Sequence, residues 1–444
     1  MVGRYDSNMR SSSGNGGKAS ADGNPDDPVV AAVTAALDLL CAHAADPGPA
    51  VSGAVRIDRV AVMERLRGTL AAAQNSETVA FARDQVEEQI ARGDIDPGTV
   101  GRGVADQVAL ACHVSPSVGS RRLNTARVLH LDMPEVRGLL AHGRISEDTA
   151  GRVVSETRHL TPELRRTVDA QVVAAGIDQL SPARAAATAK DLAYRADKAG
   201  YIARGRTARK DRRIGLRPAP DTMAVLTAYL PVEQGVACLA ALRKYADATV
   251  GRGDEERNRD QVMADTLVER LTGQAQAADV NVEVDIVLPV DALVDPDSTA
   301  TAQIVGYGPV PAGIARDIMA TTGGRRWWRR LFTRPDNGPL IGCDPKRRFF
   351  DGVLEKLIRI RDGDRCRDAF CDAHGRHVDH IGRARAGGPT SYVNGRCVCV
   401  RGNQVREMPG WTVETVHDGV GDEPHTVRTT TPTGHSYLSR PAPS

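Results

Sequence analysis

At 444 residues the chain is long for a single core and points to two or three domains. Aromatic residues make up only 4% while alanine is abundant, which disfavours a β-sandwich and favours helices packed through small aliphatic side chains. A formal net charge of +2 is too small to imply a polyanionic partner by itself, and no run approaches the roughly 18 uninterrupted apolar residues of a membrane span.

The first stretch, Met1 to Gly23, is rich in Ser, Gly and Asn and lacks the apolar core of a secretory signal, so it reads as a disordered tail. Ordered structure begins near Asp27. Helical spacing of apolar residues predicts helices over Val29–Cys41, Ile57–Ala73 and Phe81–Arg92, the last closed by turn residues from Gly93 to Gly101. From Asp106 to Leu129 a helix over Gln107–Cys112 meets a short turn, and Ser115-Pro116 opens a second helix carrying Arg121, Arg122 and Arg127. That is the outline of a helix-turn-helix able to read a major groove, and equally that of an αα-hairpin with its arginines in solvent. Ser146 and Ser181 each follow an apolar residue and open further capped helices, which argue for a well-built bundle and not for a function.

Arg204–Arg217 concentrates positive charge in a segment between helices, suited to phosphate contact or to a solvated surface. Thr222–Ala246 and Asn258–Thr272 read as two more amphipathic helices. At Val280–Leu288 the pattern switches to alternation and predicts a strand ended by Pro289. Ile304–Pro311 is a turn-rich connector and Ala312–Ala320 resumes a helix. In Arg325–Arg330 two tryptophans lie between arginine pairs, a combination suited to stacking on bases or to burial with the arginines reaching outward.

The chemistry concentrates between Lys346 and Trp411. A basic helix, Phe350–Arg361, leads to Cys366 and Cys371, spaced as a knuckle around a soft metal, with Cys399 returning from further along. Cys397 and Cys399 are two apart, so on one strand their thiols would share a face and reach the same ion. Clustered cysteines in a chain without a secretory signal indicate a metal more than disulfides, and zinc here would be structural. The other four, Cys41, Cys112, Cys238 and Cys343, read as buried small hydrophobes. Asp379-His380 is a different kind of pair: a hard carboxylate beside an imidazole suits a divalent cation next to a general base, the two requirements of phosphodiester hydrolysis. Lys346, Arg347, Arg348, Lys356, Arg359, Arg361, Arg365 and Arg367 would flank that pair as a grip for phosphates. Beyond Trp411, Thr412–Val416 and Thr426–Thr430 can pair as a hairpin.

These residues resemble the HNH endonuclease family. His380, Asn394 and Asn403 lie at intervals of 14 and 9 residues, with the turn Gly387-Gly388-Pro389-Thr390 between the first two and Gly410-Trp411 at the end, as in the HNN variant. The resemblance implies a ββα-metal fold in which Asp379 and Asn403 bind the catalytic divalent ion (Mg²⁺ or Mn²⁺), His380 activates water, and Asn394 holds the loop and orients His380. It also implies products ending in a 5′-phosphate and a 3′-hydroxyl. Upstream, VSPSVGSRRL, GRISEDTA, LRPAPDTMAVLTAYLPVEQGV and VGYGPVPAGIA are similar to the helical domain of unknown function that precedes HNH domains in actinobacterial repeat-element proteins. One position departs from the pattern: relatives with two cysteine pairs carry the fourth just before the last Asn, where this chain has Gly402. Cys397, His374 and His377 are the candidates to replace it in holding zinc.

The expected whole is an α+β protein: a tail over 1–27, a helical domain over 28–278, a mixed α/β connector over 279–345, an HNH nuclease over 346–411, and a hairpin and tail over 412–444. The expected function is metal-dependent hydrolysis of double-stranded DNA in the cytoplasm, away from membranes. Its rivals are a catalytically silent, zinc-stabilised DNA-binding protein of a mobile element, and an RNA nuclease.

Overall fold

A computed structural model describes residues 26–46, 48–93, 96–251, 255–273, 286–287, 301–304, 307–321, 350–419 and 423–441. The N-terminal tail to residue 25, the Arg325–Arg330 stretch, Cys343 and the triplet Lys346, Arg347, Arg348 lie outside them. The architecture is α+β, a large helical region followed by small antiparallel sheets.

The first helix, α1 (Pro28–Ala45), starts where the Asp27 carboxylate accepts from the N–H groups of Val29 and Val30, with Pro28 in the first turn. It buries none of its side chains, and by length and hydropathy it is long and apolar enough to cross a membrane, although Thr34, Asp38 and His43 interrupt it. Next comes α2 (Gly53–Arg92), one continuous helix where the apolar spacing predicts two. The stretch between those two contains no Gly or Pro, and its polar residues are accommodated: Ser76 and Thr78 return their hydroxyls to the carbonyls of Ala72 and Gln74. Gly93 ends the helix in the left-handed region at φ 69°.

Helices α3 (Val104–Ala111) and α4 (Pro116–Leu131) form the predicted helix–turn–helix pair, opened by Ser115-Pro116. They cross closely at Gly119, where a Cβ would lie 2.5 Å from Ala109 Cβ and 2.6 Å from Ala105 O. The bundle continues with α5 (Pro134–Ala141), α6 (Glu147–Glu156), α7 (Pro162–Ala174) and α8 (Pro182–Ala196). Ser146, Thr161 and Ser181 cap the last three through their hydroxyls. The buried Asp169 carboxylate caps α5 from a distance, accepting from Glu135 N–H at 2.8 Å and Val136 N–H at 2.9 Å. Leu129, Met133, Val136, Leu140, Val153, Val154, Val168 and Val172 fill the core between these helices. Ala185, Ala189 and Ala193, one helical turn apart, face it from α8 and let that helix approach closely.

Three expectations fail beyond α9 (Lys198–Ala208). The Arg-rich segment ends as a strand, β1 (Arg213–Pro218), and Thr222–Ala246 is not one helix. Ala224–Tyr229 forms β2, antiparallel to β1, and α10 (Val232–Thr249) begins only after Pro231, which has no N–H for a helix interior. α11 (Arg259–Thr272) carries a capping box between Asn258 and Gln261. Of the predicted strand Val280–Leu288, Ile286–Val287 is described and forms β3. The expected connector is instead a hairpin: β4 (Thr301–Ile304) pairs with β3 and with β5 (Gly308–Pro311), leading into α12 (Ala312–Thr321).

The C-terminal part comprises α13 (Gly352–Arg361), the antiparallel pair β6 (His377–His380) and β7 (Gly395–Val398), and the short α14 (Val400–Val405). A three-stranded sheet follows, with β9 (Thr426–Thr430) between β8 (Thr412–His417) and β10 (Ser436–Ser439); β8 and β9 pair as the sequence suggests. This part docks on α3. Trp411 is buried with Leu110, Ala369, Val405 and Met408, His113 stacks on Phe370 at 4.5 Å, and Arg401 reaches Asp106 and Ser120. The remaining described cysteines are not core residues: Cys41 and Cys238 are exposed because their helices turn those faces outward, and Cys112 is half-buried.

The α3–α4 crossing supplies a test of this packing. Gly119→Ala forces a methyl into Ala109 and the Ala105 carbonyl, and overpacking of this kind costs about 1–3 kcal/mol. Urea unfolding of the variant should show that loss with an unchanged slope, whereas Gly138→Ala, at a position open to space, should be neutral or stabilising.

Candidate metal centre and ββα module

A buried carboxylate organises the module. Asp362, at the end of α13, is fully enclosed and accepts from Arg361 Nε at 2.8 Å, Arg367 Nη1 at 2.7 Å and the Cys397 backbone N–H at 2.8 Å. Burial works against its charge, but the two guanidinium groups outweigh burial and hold it below the usual carboxylate range. Arg361 continues to the carbonyls of Tyr392 and Gly395, and Arg367 to those of His425 and Ser439. The end of α13, strand β7 and the C-terminal sheet are thus joined through one acid.

This bonding corrects the sequence reading of the basic cluster. Arg361 and Arg367 are buried in internal pairs, Arg359 is spent on Glu355, Asp364 and the Gly375 carbonyl, and Arg365 bonds the Asp372 carbonyl. Arg376 and Arg385 are exposed, the latter beside Glu407.

Three thiols converge. The chain from Cys366 doubles back so that Cys371 N–H donates to the Asp368 carbonyl, and Cys399 caps α14, its Sγ accepting from Gly402 N–H at 3.2 Å. The Sγ atoms of Cys366, Cys371 and Cys399 all lie within 4.8 Å of one another, with Cys371 and Cys399 at 4.0 Å. Tetrahedral zinc with bonds of about 2.3 Å sets sulfur atoms about 3.8 Å apart, whereas a disulfide would need about 2.0 Å. The set can therefore hold a metal ion such as zinc. Hydrogen bonds from Cys366 and Cys371, then the N–H groups of Gly402 and Arg401, lower the pKa of the Cys399 thiol.

Cys397 does not belong to this set. Strand β7 stops at Val398, so Cys399 is a helix cap and not a strand neighbour sharing its face. The Cys397 thiol packs with Leu354 and Ile358, where burial pushes its pKa up. His374 is exposed and sits 3.3 Å from Asp364, and His377 is exposed on β6; among the described residues neither joins the thiols.

Asp379 and His380 end β6, opposite Arg396 and Gly395 of β7. His380 is buried, its Nε2 2.8 Å from Thr390 Oγ1 and its ring 4.5 Å from that of Phe350. Burial, helped by Arg406 and opposed by Asp379, lowers its pKa below the ordinary histidine value, so the ring is neutral at pH 7. Asn394 staples the intervening loop: its Nδ2 donates to the carbonyls of Gly382 and Pro389, and its Oδ1 accepts from Gly382 N–H. It thus holds the loop, while the partner that directs the His380 ring is Thr390, a residue the sequence reading noted only as part of a turn.

Asn403 lies half-buried on α14, and Arg406 caps the C-terminal end of that helix. The buried Arg406 guanidinium bonds Asp379 Oδ2 and the carbonyls of His380 and Ile381. Nothing in the linear sequence marked this arginine, because its partners are 25 to 27 residues away. Asp379 is half-buried, with its Oδ2 engaged by Arg406.

His425, on the strand side of the module, gives a pH prediction. Burial pushes its pKa down to about 4, and Nε2–H donates to the Val393 carbonyl at 2.8 Å. A folded-state value below the unfolded one means stability is intact above about pH 6.5 and is lost as pH falls toward 4, by up to about 3 kcal/mol. The urea midpoint of the unaltered protein should therefore fall more steeply across that window than that of His425→Gln; equal slopes would contradict the assignment.

No curated protein and no solved structure matches the chain. The model of one family, the domain of unknown function DUF222, matches residues 63–362, from within α2 to Asp362, and stops just before the first cysteine of the thiol cluster. That match covers more than half of the sequence, and the chain belongs to the DUF222 family.

Proposed function

We propose that this protein is a metal-dependent DNA endonuclease of the HNH type. The observation that carries the reading is the placement of His380: a neutral, buried imidazole, fixed by Thr390, at the end of the first strand of a ββα unit with the Asp379 carboxylate beside it. The Asn394 staple and Asn403 on the following helix complete the arrangement.

In this reading His380 accepts the proton of a water that attacks the phosphorus, the P–O3′ bond breaks with the departing O3′ taking a proton from solvent water, and the fragments end in a 5′-phosphate and a 3′-hydroxyl. Asp379 and Asn403 would hold a divalent ion, which would supply Lewis-acid stabilisation of charge on the leaving oxygen. Thr390 keeps the ring oriented, and Asn394 keeps the loop that carries Thr390 closed on the strand. Arg376 and Arg385 are the exposed cations for the phosphate backbone. On α4, Arg121 and Arg127 are exposed for similar contacts, whereas Ser120, near the helix start, is engaged by Arg401.

A second reading, a zinc-stabilised protein that binds DNA without cutting it, is favoured by Arg406. Its guanidinium already supplies a positive charge to Asp379 and would repel a divalent ion there. Plasmid cleavage with Mg²⁺ or Mn²⁺ separates the two, run beside a matched RNA. The nuclease reading predicts DNA cutting that drops about 10²–10⁴-fold in His380→Ala. Salt-sensitive DNA binding by the folded protein, with no cutting under either ion, would establish the silent binder instead.

A further inference from the structure

The thiol cluster supplies three ligands, and structural zinc takes four. The position from which a fourth would come by sequence pattern is Gly402, which has no side chain. The space above it is not open. A Cβ built on Gly402 would lie 1.9 Å from Asp368 Oδ2, far inside van der Waals contact, and 3.5 Å from Cys366 Sγ. The carboxylate oxygen therefore stands where the next atom of a side chain at 402 would stand, and it is 3.6 Å from Cys366 Sγ.

We propose that Asp368 is the fourth ligand of a Cys₃Asp zinc site, its Oδ2 replacing the side chain that Gly402 lacks. The inference rests on the reading of Cys366, Cys371 and Cys399 as a zinc site. Asp368 lies between two of these cysteines in the chain, and its backbone carbonyl already receives the Cys371 N–H, so the turn that forms the knuckle also presents the acid. Its other oxygen, Oδ1, is held by Arg396, which is fully buried. That bond fixes the carboxylate's direction, the role an outer partner plays for a metal-bound carboxylate.

Charge supports the same assignment. Three thiolates and one carboxylate around Zn²⁺ leave two negative charges. Arg396 carries a positive charge with no exposed surface, and its Nε and Nη2 have no hydrogen-bond partner. A buried cation of this kind is stable only beside compensating anionic charge. The two substitutions are also mutually dependent. Gly402 admits Asp368, and any side chain at 402 would expel it, so a cysteine is tolerated at 402 only when Asp368 is shortened.

The test uses the full-length protein, loaded with Zn²⁺ or with Co²⁺ as a spectroscopic substitute. It compares the unaltered chain with Asp368→Ala and with the double variant Gly402→Cys/Asp368→Ala. The unaltered chain should hold one zinc. Because even outer partners of a metal site are worth about 10–100-fold in affinity, Asp368→Ala should weaken zinc at least tenfold in chelator competition, and the double variant should recover it. With Co²⁺, the sulfur-to-metal charge-transfer band of the double variant should exceed that of the unaltered chain in the ratio of four thiolates to three. This comparison holds even where Asp368→Ala alone fails to fold.

Unchanged affinity and an unchanged Co²⁺ spectrum in Asp368→Ala would overturn the assignment and leave the fourth place to water. Equal charge-transfer bands in the unaltered and double-variant proteins would overturn it as well. Zinc absent from the folded, unaltered chain would instead overturn the three-cysteine reading on which it rests.

Discussion

The C-terminal module depends on a single buried carboxylate. Asp362 binds two guanidinium groups and a strand N–H with no access to water, and each partner continues to a different element. Through Arg361 it holds the loop before β7; through Arg367 it holds the C-terminal sheet; through Cys397 N–H it sets the depth of β7 against α13. Enclosing three charges is costly unless the geometry satisfies each, and taking one away leaves an uncompensated ion. The arrangement is therefore a poor source of net stability and a strong constraint on geometry. With β7 placed, its hairpin partner β6 and the helix after it are placed too, and these carry His380, Asp379 and Cys399.

The helical region is coupled to that module by a second buried acid. Asp106 of α3 meets Arg401, and burial raises the Asp106 pKa even against the pull of the arginine. Trp411 closes the apolar side of the contact on Leu110. Since Arg401 lies between Cys399 and Asn403, a DUF222 helix grips the first turn of α14, the helix that Cys399 caps and that carries Asn403. The helical region thus acts on the site by positioning it.

Local signals were legible in the sequence. Ser146 and Ser181 open helices as their capping pattern requires, His380 ends a strand as the HNH resemblance implies, and Asn394 closes its loop. What escaped were pairings across long stretches of chain. Arg361 and Arg367 read as phosphate contacts because composition gives a charge but not its direction, and Asp362 turns both inward. Cys397 read as a ligand because Cys399 was taken to continue the same strand, when it caps a helix. Arg406 and Asp368 drew no notice because each acts on groups brought near only by the fold. The unbroken α2 escaped for a different reason: Ser76 and Thr78 satisfy their hydroxyls within the helix, so a polar interval needed no break.

In the proposed function the Asp379 corner accepts a divalent ion although Arg406 already bonds one of its oxygens. Electron paramagnetic resonance of Mn²⁺ added to the zinc-loaded full chain measures this directly, without and with DNA made resistant to hydrolysis. The account predicts one bound Mn²⁺ per chain, tightened by DNA and lost in Asp379→Ala. A folded protein that leaves all Mn²⁺ free, even with DNA present, would contradict it and show that Arg406 has taken the cation's place.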